Sequence, residues 1–508
     1  MKKMKQSISS VLVLGVCLTP LTVPLMVQPS LAQSQNSHVE KLKQLREQAK
    51  QQERQGQVRQ AIETWQQILA IARQFKEKKS EAIALNNIGY NYHSISQPQE
   101  ALKYFNQALP IMRSVGDRRG EAATLSNIGV AYNSISQPQE ALKYYNQALP
   151  ISRSVGDRRG EADTLSNIGV AYNSISQPQE ALKYFNQALP ILRSVGDRAG
   201  EAITLSNIGV AYESISQPQE ALKYFNQALP IRRSVGDRAG EAVTLGNIGV
   251  AYASISQPQE ALKYFNQALP ILRSVGDRRG EATTLNNIGL AYNSISQPQE
   301  ALKYFNQALP IWRSVGERAG EADTLNNIGL AYKSISQPQE ALKYYNQSLP
   351  IRREVGDRRG EAVTLTNIGA AYESISQPQE ALKYFNQALP IMRQVGDRRG
   401  EATTLNNIGL AYNSISQPQE ALKYFNQSLP IRREVGDRRG EATTLNNIGL
   451  AYNSISQPQE ALKYFNQALP IWRSLGDRAG EAATLSNIDA VNNISQPPSR
   501  TNIPQTPK

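Results

Sequence analysis

A unit of forty residues recurs along most of this chain. The stretch from Gly120 to Arg159 returns almost letter for letter as Gly160 to Ala199, and copies continue at the same interval up to Gly440 to Ala479. Ten full copies fill residues 80–479, with a degenerate unit on each side. A fixed period of this length is typical of proteins that stack small structural units, because one unit alone cannot bury its apolar surface. The sequence therefore predicts a solenoid.

Each unit contains two amphipathic stretches that we expect to be helices. In both, apolar residues recur at spacings of three or four, and neither shows the alternation of a strand. The first runs from about residue 118 to 135, and the second starts at Pro138, near a position where a helix tolerates proline. Gly116 and Asp117 mark the end of one helix and the N-cap of the next. Pro150 lies inside the second helix and predicts a bend there. The predicted fold class is all-α.

These residues resemble the tetratricopeptide repeat (TPR). The slots of its pattern are filled by Leu125, Ile128-Gly129, Tyr132, Ala141, Tyr145 and Ala148. The unit is longer than the usual repeat, and Arg153 stands in the final proline slot. This departure resembles the long repeats of kinesin light chains and spindle-orientation adaptors, and similar bacterial repeats occur beside caspase-like peptidase domains of the CHAT type. The resemblance implies a right-handed superhelix of helix-turn-helix repeats that binds protein segments.

The start of the chain is of another kind. Three lysines, an apolar run and Ser30-Leu31-Ala32 predict a secretory signal peptide over residues 1–32, cleaved after Ala32. We expect a periplasmic or secreted protein of a bacterial envelope, with no stable membrane span after cleavage. An uncleaved membrane anchor is the alternative, although the apolar run is short and contains two prolines.

The remaining segments flank the repeats. Residues 33–79 form a lead-in and a degenerate repeat, crowded with charged and amide side chains as expected of a cap. Residues 480–494 start a further unit and then lose its pattern, which predicts one capping helix. Residues 495–508 are rich in Pro, Ser, Thr and Gln and predict a disordered tail.

Composition argues against catalysis and against nucleic-acid binding. The net charge is +12, but the basic residues are spread evenly and have acidic neighbours, so we expect no nucleic-acid partner. The chain has only two histidines, His38 and His93, and its single cysteine, Cys17, lies in the predicted signal peptide. No Ser/His/Asp or Cys/His set can be assembled, and no cluster has metal-ligand spacing. We expect a non-enzymatic protein without metal or cofactor.

One face of the first helix is the candidate binding surface. Because the Leu125 and Tyr132 stripe packs inward, the adjoining face with Arg119, Ala123 and Asn133 should line the groove that first helices form in stacked hairpins. Position 123 becomes Asp163, Ile203, Val243, Thr283 and Asp323, and position 133 becomes Glu213, Ala253, Lys333 and Glu373. Such variation suits a surface that reads different side chains along a ligand, and it also suits drift where packing is indifferent.

An asparagine recurs on this face in every full copy, although asparagine has a poor helix propensity. In the long-repeat adaptors the asparagine at this motif position reads the peptide backbone, since its amide both donates and accepts. The resemblance therefore implies a ladder that grips an extended peptide. The alternatives are asparagines that bond a neighbouring repeat, and copies that are alike through recent duplication. The candidates are Asn87, Asn127, Asn167, Asn207, Asn247, Asn287, Asn327, Asn367, Asn407 and Asn447.

Arginines one turn before this line would favour carboxylates on a partner, so an acidic ligand is expected. These candidates are Arg119, Arg159, Arg279, Arg359, Arg399 and Arg439. Alanine replaces the arginine in four other copies, at Ala199, Ala239, Ala319 and Ala479.

A separate variable site lies in the second helix, where Ser152 becomes Trp312 and Trp472. We expect these tryptophans to pack against the next repeat. A second contact surface is the alternative.

Together these features predict a scaffold that binds extended peptide or protein segments in a concave groove. Two alternatives stay open. In one, the solenoid self-associates as a structural spacer of the envelope. In the other, it is an adaptor that presents substrates to a separately encoded peptidase.

Overall fold

The computed structural model describes residues 31–495, and within them the chain forms α-helices and no strand. It divides into two compact units, Met1–Ala171 and Tyr172–Lys508. The predicted signal peptide and C-terminal tail lie outside the described residues, except for Leu31, Ala32 and Ser495. The first unit contains α1 (Leu31–Arg54), α2 (Val58–Gln74), α3 (Lys78–Ser94), α4 (Pro98–Ser114), α5 (Arg118–Ser134), α6 (Pro138–Ser154) and most of α7 (Arg158–Ser174).

The second unit continues the same alternation of helices. It contains α8 (Pro178–Ser194), α9 (Arg198–Ser214), α10 (Pro218–Ser234), α11 (Arg238–Ser254), α12 (Pro258–Val275), α13 (Arg278–Ser294), α14 (Pro298–Val315), α15 (Arg318–Ser334), α16 (Pro338–Glu354), α17 (Arg358–Ser374), α18 (Pro378–Gln394), α19 (Arg398–Ser414), α20 (Pro418–Glu434), α21 (Arg438–Ser454), α22 (Pro458–Ser474) and α23 (Arg478–Ser495). The odd-numbered helices from α3 to α21 are called first helices, and the even-numbered helices from α4 to α22 second helices. The predicted all-α solenoid of helix pairs is confirmed.

The helix ends follow from particular residues at the two turns of each repeat. Gly116 has a φ of +70°, a left-handed conformation that glycine adopts without strain, and α4 ends just before it. The Asp117 carboxylate accepts a hydrogen bond of 2.9 Å from the Gly120 amide and so caps α5. At the other turn Ser136 has a φ of +59°, and Pro138 occupies the first turn of α6. The predicted N-cap and helix-start roles of Asp117 and Pro138 are confirmed.

The proline inside the second helix does not interrupt it. Helix α6 continues from Pro138 to Ser154, four residues beyond Pro150. Pro150 is exposed, and so is Asn146, whose carbonyl loses its usual backbone donor. Water can therefore solvate that carbonyl, which lowers the cost of the missing N–H.

The two helices of a repeat meet at a glycine. A Cβ atom on Gly129 would lie 2.4 Å from the ring of Tyr145, so only glycine permits this approach of α5 and α6. In both units the core around a first helix also includes second helices on both sides, as around α5 and α13. Leu285 of α13 packs in one cluster with Phe265 of α12 and Ile311 of α14. Stacking therefore buries the apolar stripe that an isolated pair would expose.

An arginine occupies the position at which the tetratricopeptide pattern has proline, and it forms an ion pair with the next repeat. Arg313 donates from Nε to Oε1 of Glu321 at 2.8 Å, and Arg318 contacts the other carboxylate oxygen. Equivalent arginine–glutamate pairs recur from Arg73–Glu81 to Arg473–Glu481. Because Glu321 is only 5% exposed, its two charged donors are needed to compensate for the loss of water.

Candidate functional site

The first helices lie side by side within each unit. In the second unit α11 contacts α13 and α13 contacts α15, whereas no contact joins successive second helices in its described residues. The first helices are thus the closer-packed side of the array. Their free side is called the inner face. In α5 it consists of Arg119, Ala123, Ser126, Asn127, Val130 and Asn133, and equivalent residues form it in the other first helices.

The asparagines predicted to bind peptide lie on the inner face, and several bond to the preceding repeat. Asn327 donates from Nδ2 to Oδ1 of Asn286 at 3.2 Å. The same inter-repeat bond is made by Asn127, Asn367 and Asn447. Each of these bonds needs an asparagine in the preceding repeat. For Asn287 the corresponding position in the preceding repeat is Gly246, which has no side chain to accept the bond. Asn287 makes no side-chain hydrogen bond to another described residue. Part of the asparagine set is thus engaged in the fold, while the Asn287 amide has both its donors and its acceptor available.

The predicted arginines lie at the rim of the inner face, and four of them pair with an acidic residue of the next repeat. Arg119 contacts the Asp157 carboxylate at 2.8 and 3.1 Å. This hydrogen bond lowers the pKa of Asp157; burial opposes the shift, and the Gly160 amide adds to it. Partners within the chain also engage Arg159, Arg279, Arg359, Arg399 and Arg439. A carboxylate on a ligand would therefore compete with the fold for these guanidinium groups.

Where alanine replaces the rim arginine, a second-helix arginine can take over its role. Ala199 offers no charge to Asp237, and Arg232 contacts that carboxylate instead. The same exchange occurs after Ala319, where Arg352 pairs with the capping aspartate of α17 at 2.5 Å. In these two repeats the capping aspartate therefore keeps an arginine partner, whereas the repeat after Ala239 has Leu272 at the second-helix position.

The inner face opens into a cleft between α11 and α13. Two adjoining cavities of about 570 and 310 Å³ share Val250 and Asn287 in their walls. The cleft exists because this repeat has Gly246 and Ala253 at positions that hold larger polar residues in every other full repeat. Leu290 lines the far wall. A gap of this size is within the range of small-ligand pockets and accepts an apolar side chain.

Exposed apolar side chains surround this cleft. Val243 is 52% exposed and Val250 40%, and Leu290 on α13 is 40% exposed. Ile203 and Val210 extend the surface onto α9 at 45% and 39%. Contiguous exposed apolar residues on a folded surface are a mark of interaction sites.

Ionisable residues occupy the position of Asn133 in four other repeats. Burial raises the pKa of Glu213 and of Glu373, and a serine of the next repeat acts against each shift. Burial lowers the pKa of Lys333 and of His93. Perturbed groups of this kind are enriched at functional sites, although structural networks also produce them.

In the part of the chain that the structure describes, His93 contacts a hydroxyl group but no carboxylate that would complete a catalytic set. His93 Nε2 lies 2.8 Å from Ser134 Oγ, and Ser134 itself donates to the Val130 carbonyl at 2.9 Å. Burial lowers the pKa of His93, and the described residues provide no carboxylate hydrogen-bonded to the ring that would orient it as a base. Among the described residues no group of three or more His, Cys, Asp or Glu side chains is placed to hold a metal ion. None of the helices of residues 31–495 has the length and apolar character to cross a membrane.

The variable tryptophans of the second helices are buried. Trp312 and Trp472 are each 7% exposed. A Cβ on Gly320 would lie 2.6 Å from the Trp312 ring, so the indole packs on the first helix of the next repeat. The prediction that these residues pack against the neighbouring repeat is confirmed.

The cleft does not follow from any single position of the sequence. Ala253 alone is one of several variants at the position of Asn133, and Gly246 alone is one of several residues at the position of Ser126. Both small residues belong to the same copy, and Val243 in that copy is also apolar. The signal of the cleft is thus one repeat that departs from the others at several inner-face positions.

Comparisons with known proteins identify solved structures with a similar fold. No curated protein matches the chain. The apo form of the quorum sensor NprR from B. thuringiensis has a TM-score of 0.52 and 17% identity, covering 71% of this chain and 99% of that chain. The apo form of RapI has a TM-score of 0.57 and 14% identity, covering 70% of this chain and 98% of that chain. A putative kinesin light chain from Podosopora anserina with nearly identical TPR-like repeats has a TM-score of 0.34 and 20% identity, over 38% of this chain and 95% of that chain.

The sequence itself assigns the family. The model of the tetratricopeptide repeat matches residues 45–114, 120–194, 160–234, 200–274, 280–354, 320–394, 360–434, 400–474 and 440–488. These matches include most of the described chain and follow its helix pairs. The chain belongs to the tetratricopeptide repeat family.

Proposed function

We propose that this protein is an exported, non-enzymatic scaffold that binds extended protein or peptide segments along its inner face. One observation carries the proposal: the frame of the repeats is almost invariant, while differences between copies concentrate on the inner face. Stacked helical repeats generally present such a continuous surface to their partners. Export rests on the signal-peptide pattern of residues 1–32.

The spacing of the first helices suits an extended ligand. Neighbouring packed helices lie roughly 8–10 Å apart. An extended chain advances about 3.3–3.6 Å per residue, so one repeat corresponds to about two to three residues of ligand. The Asn287 amide both donates and accepts, as backbone recognition requires. Binding would then be the sum of many similar contacts along the face.

A structural spacer is the second candidate, and a specific observation favours it. Arg119 and Asn327 both belong to the predicted binding set, and both already bond a neighbouring repeat. If all such residues serve the fold, the inner face needs no ligand. The protein would then act through its length and its contacts with further copies.

Site-specific photocrosslinking in envelope extract distinguishes the two candidates. A photoreactive residue at Val250 tests the inner face, and one at Gln267, exposed on α12, is the matched control. The scaffold function predicts adducts with other proteins at Val250 and few at Gln267. Adducts only between copies of this chain would favour the spacer. Equal capture at both positions would contradict a binding role of the inner face.

A further inference from the structure

The cleft between α11 and α13 has an apolar interior with a buried aromatic floor. Val250 and Leu290 form opposite walls, and Phe265, only 1% exposed, lies at the base. The space that polar side chains fill in the other repeats is empty here because of Gly246 and Ala253. An aliphatic or aromatic side chain that enters the cleft would exchange water for contacts on both walls.

One edge of the cleft borders a carboxylate that pairs with no basic side chain of the described residues. Ser254 lines the cleft and also interacts with the carboxylate of Glu213 on α9. Oε1 of Glu213 is buried and has no hydrogen-bond partner. Burial raises the pKa of Glu213, the contact with Ser254 opposes this rise, and no basic side chain contributes. A partly desolvated carboxylate in this state is stabilised by a cation that reaches it.

The charged residues at the opposite end of the cleft are already bonded within the fold. Arg279 lines that end and pairs with Glu317 at 3.3 Å, and Asp277, which also lines it, accepts a hydrogen bond of 2.8 Å from the Gly280 amide and caps α13. The carboxylate that keeps an oxygen without a hydrogen-bond partner is therefore that of Glu213, on the side of α9. This arrangement complements a ligand that is basic on one side of an apolar residue.

We propose that the cleft binds an apolar side chain of a protein segment, and that Glu213 pairs with a lysine or arginine about three residues away in the same segment. The near wall of the cleft lies one helix spacing of roughly 8–10 Å from α9, and the far wall lies two. At about 3.3–3.6 Å per residue, an extended chain that starts at Glu213 enters the cleft after about three residues. This inference rests on the proposed function, since it defines the chemistry of the segment that the inner face binds.

Synthetic peptides and the full chain test the inference. The probes are labelled dodecamers of Gly and Ser with one Leu and one Lys three positions before or after it, and binding is measured by fluorescence anisotropy. Matched peptides replace Lys with Glu, or Leu with Ser. We expect one of the Leu–Lys peptides to bind best, and loss of the Leu to weaken binding about tenfold or more.

Three variants of the protein locate the binding. The double change Gly246→Asn and Ala253→Asn fills the cleft with residues that other repeats carry at these positions, so folding should be preserved. It should weaken the Leu–Lys peptide about tenfold or more. Glu213→Gln should remove the preference for Lys over Glu. Glu373→Gln is the control: Ser414 lies 3.4 Å from that carboxylate, but no small residue opens a cleft beside it. It should change nothing, and circular dichroism checks that all variants are folded.

Several results would overturn the inference. They are absence of binding by every peptide, equal binding by the filled-cleft variant, and equal binding of Lys and Glu peptides. The proposed function fails in a different way, when crosslinking at Val250 captures no other protein. Capture at Val250 without any peptide preference would leave the scaffold function standing and remove this ligand chemistry.

Discussion

Two glycines of α11, three residues apart, differ in how closely the neighbouring helix packs against them, so substituting each with alanine tests the packing of the repeats. A Cβ on Gly249 would lie 2.4 Å from the ring of Phe265, whereas a Cβ on Gly246 would have no atom within 4 Å. Alanine is favoured over glycine inside a helix by about 0.8–1 kcal/mol, so Gly246→Ala should stabilise the protein by roughly that amount. Gly249→Ala gains the same helix propensity but overpacks the core, at a cost of about 1–3 kcal/mol. Because Phe265 is enclosed, we expect the upper part of that range and a net loss of about 1–2 kcal/mol.

Urea unfolding followed by far-UV circular dichroism measures this difference. Both changes add one methyl group to the same helix, so effects on the unfolded chain largely cancel between them. Hydrogen exchange of the α11 amides shows whether the loss is local, as nearest-neighbour stacking predicts. The packing argument is refuted if Gly249→Ala is as stable as Gly246→Ala.

Three further predictions concern hydrogen bonds and charges. Asn447→Ala should lower the unfolding free energy by about 0.5–1.5 kcal/mol, because its hydrogen bond to the preceding repeat is lost. Asn287→Ala should have almost no effect on the unfolding free energy. Equal losses would mean that both asparagines are structural. Glu321→Gln should cost about 1–3 kcal/mol because its buried carboxylate bonds two arginines, while Glu300→Gln, in an exposed pair, should change the urea midpoint little. Burial raises the pKa of Glu213, so the folded state holds its proton more tightly and this residue disfavours folding as the pH rises from acid to neutral. Glu213→Gln should therefore raise the melting temperature relative to wild type at neutral pH, with a smaller gain in acid; a gain that is the same at both pH values would contradict that assignment.

The elements that could be predicted from the sequence are those that local chemistry determines. Asp117 caps α5 through an amide three residues away, and Pro138 begins α6 because its ring suits the first turn. The burial of Trp312 was also predictable, since neighbouring repeats cover much of the surface of each helix in a stacked array. The proline inside the second helix was harder to interpret, because its effect depends on whether water reaches the freed carbonyl.

The side-chain contacts between repeats could not be predicted from the local sequence. Arg313 bonds Glu321 across a turn, and Arg119 bonds Asp157 in the next repeat. From the sequence alone, Arg119 resembles a ligand-binding charge, and the recurring glutamate has no evident partner. Both roles become clear once the neighbouring helix is placed, because the two partners of each pair come from different repeats.

The repetition itself separates packing from recognition at the inner face. Gly249 is glycine in every full repeat because the ring behind it leaves no room, so its identity carries no information about a ligand. Gly246 has open space around it, and other repeats hold Ser, Thr or Asn at that position. Packing therefore does not require a glycine there. Since Ala253 departs from the pattern in the same repeat and on the same face, the two residues together form a cleft that the solenoid does not need for its stability. A residue that the frame does not dictate, but that changes the shape of the exposed surface, is where specificity for a partner should be sought.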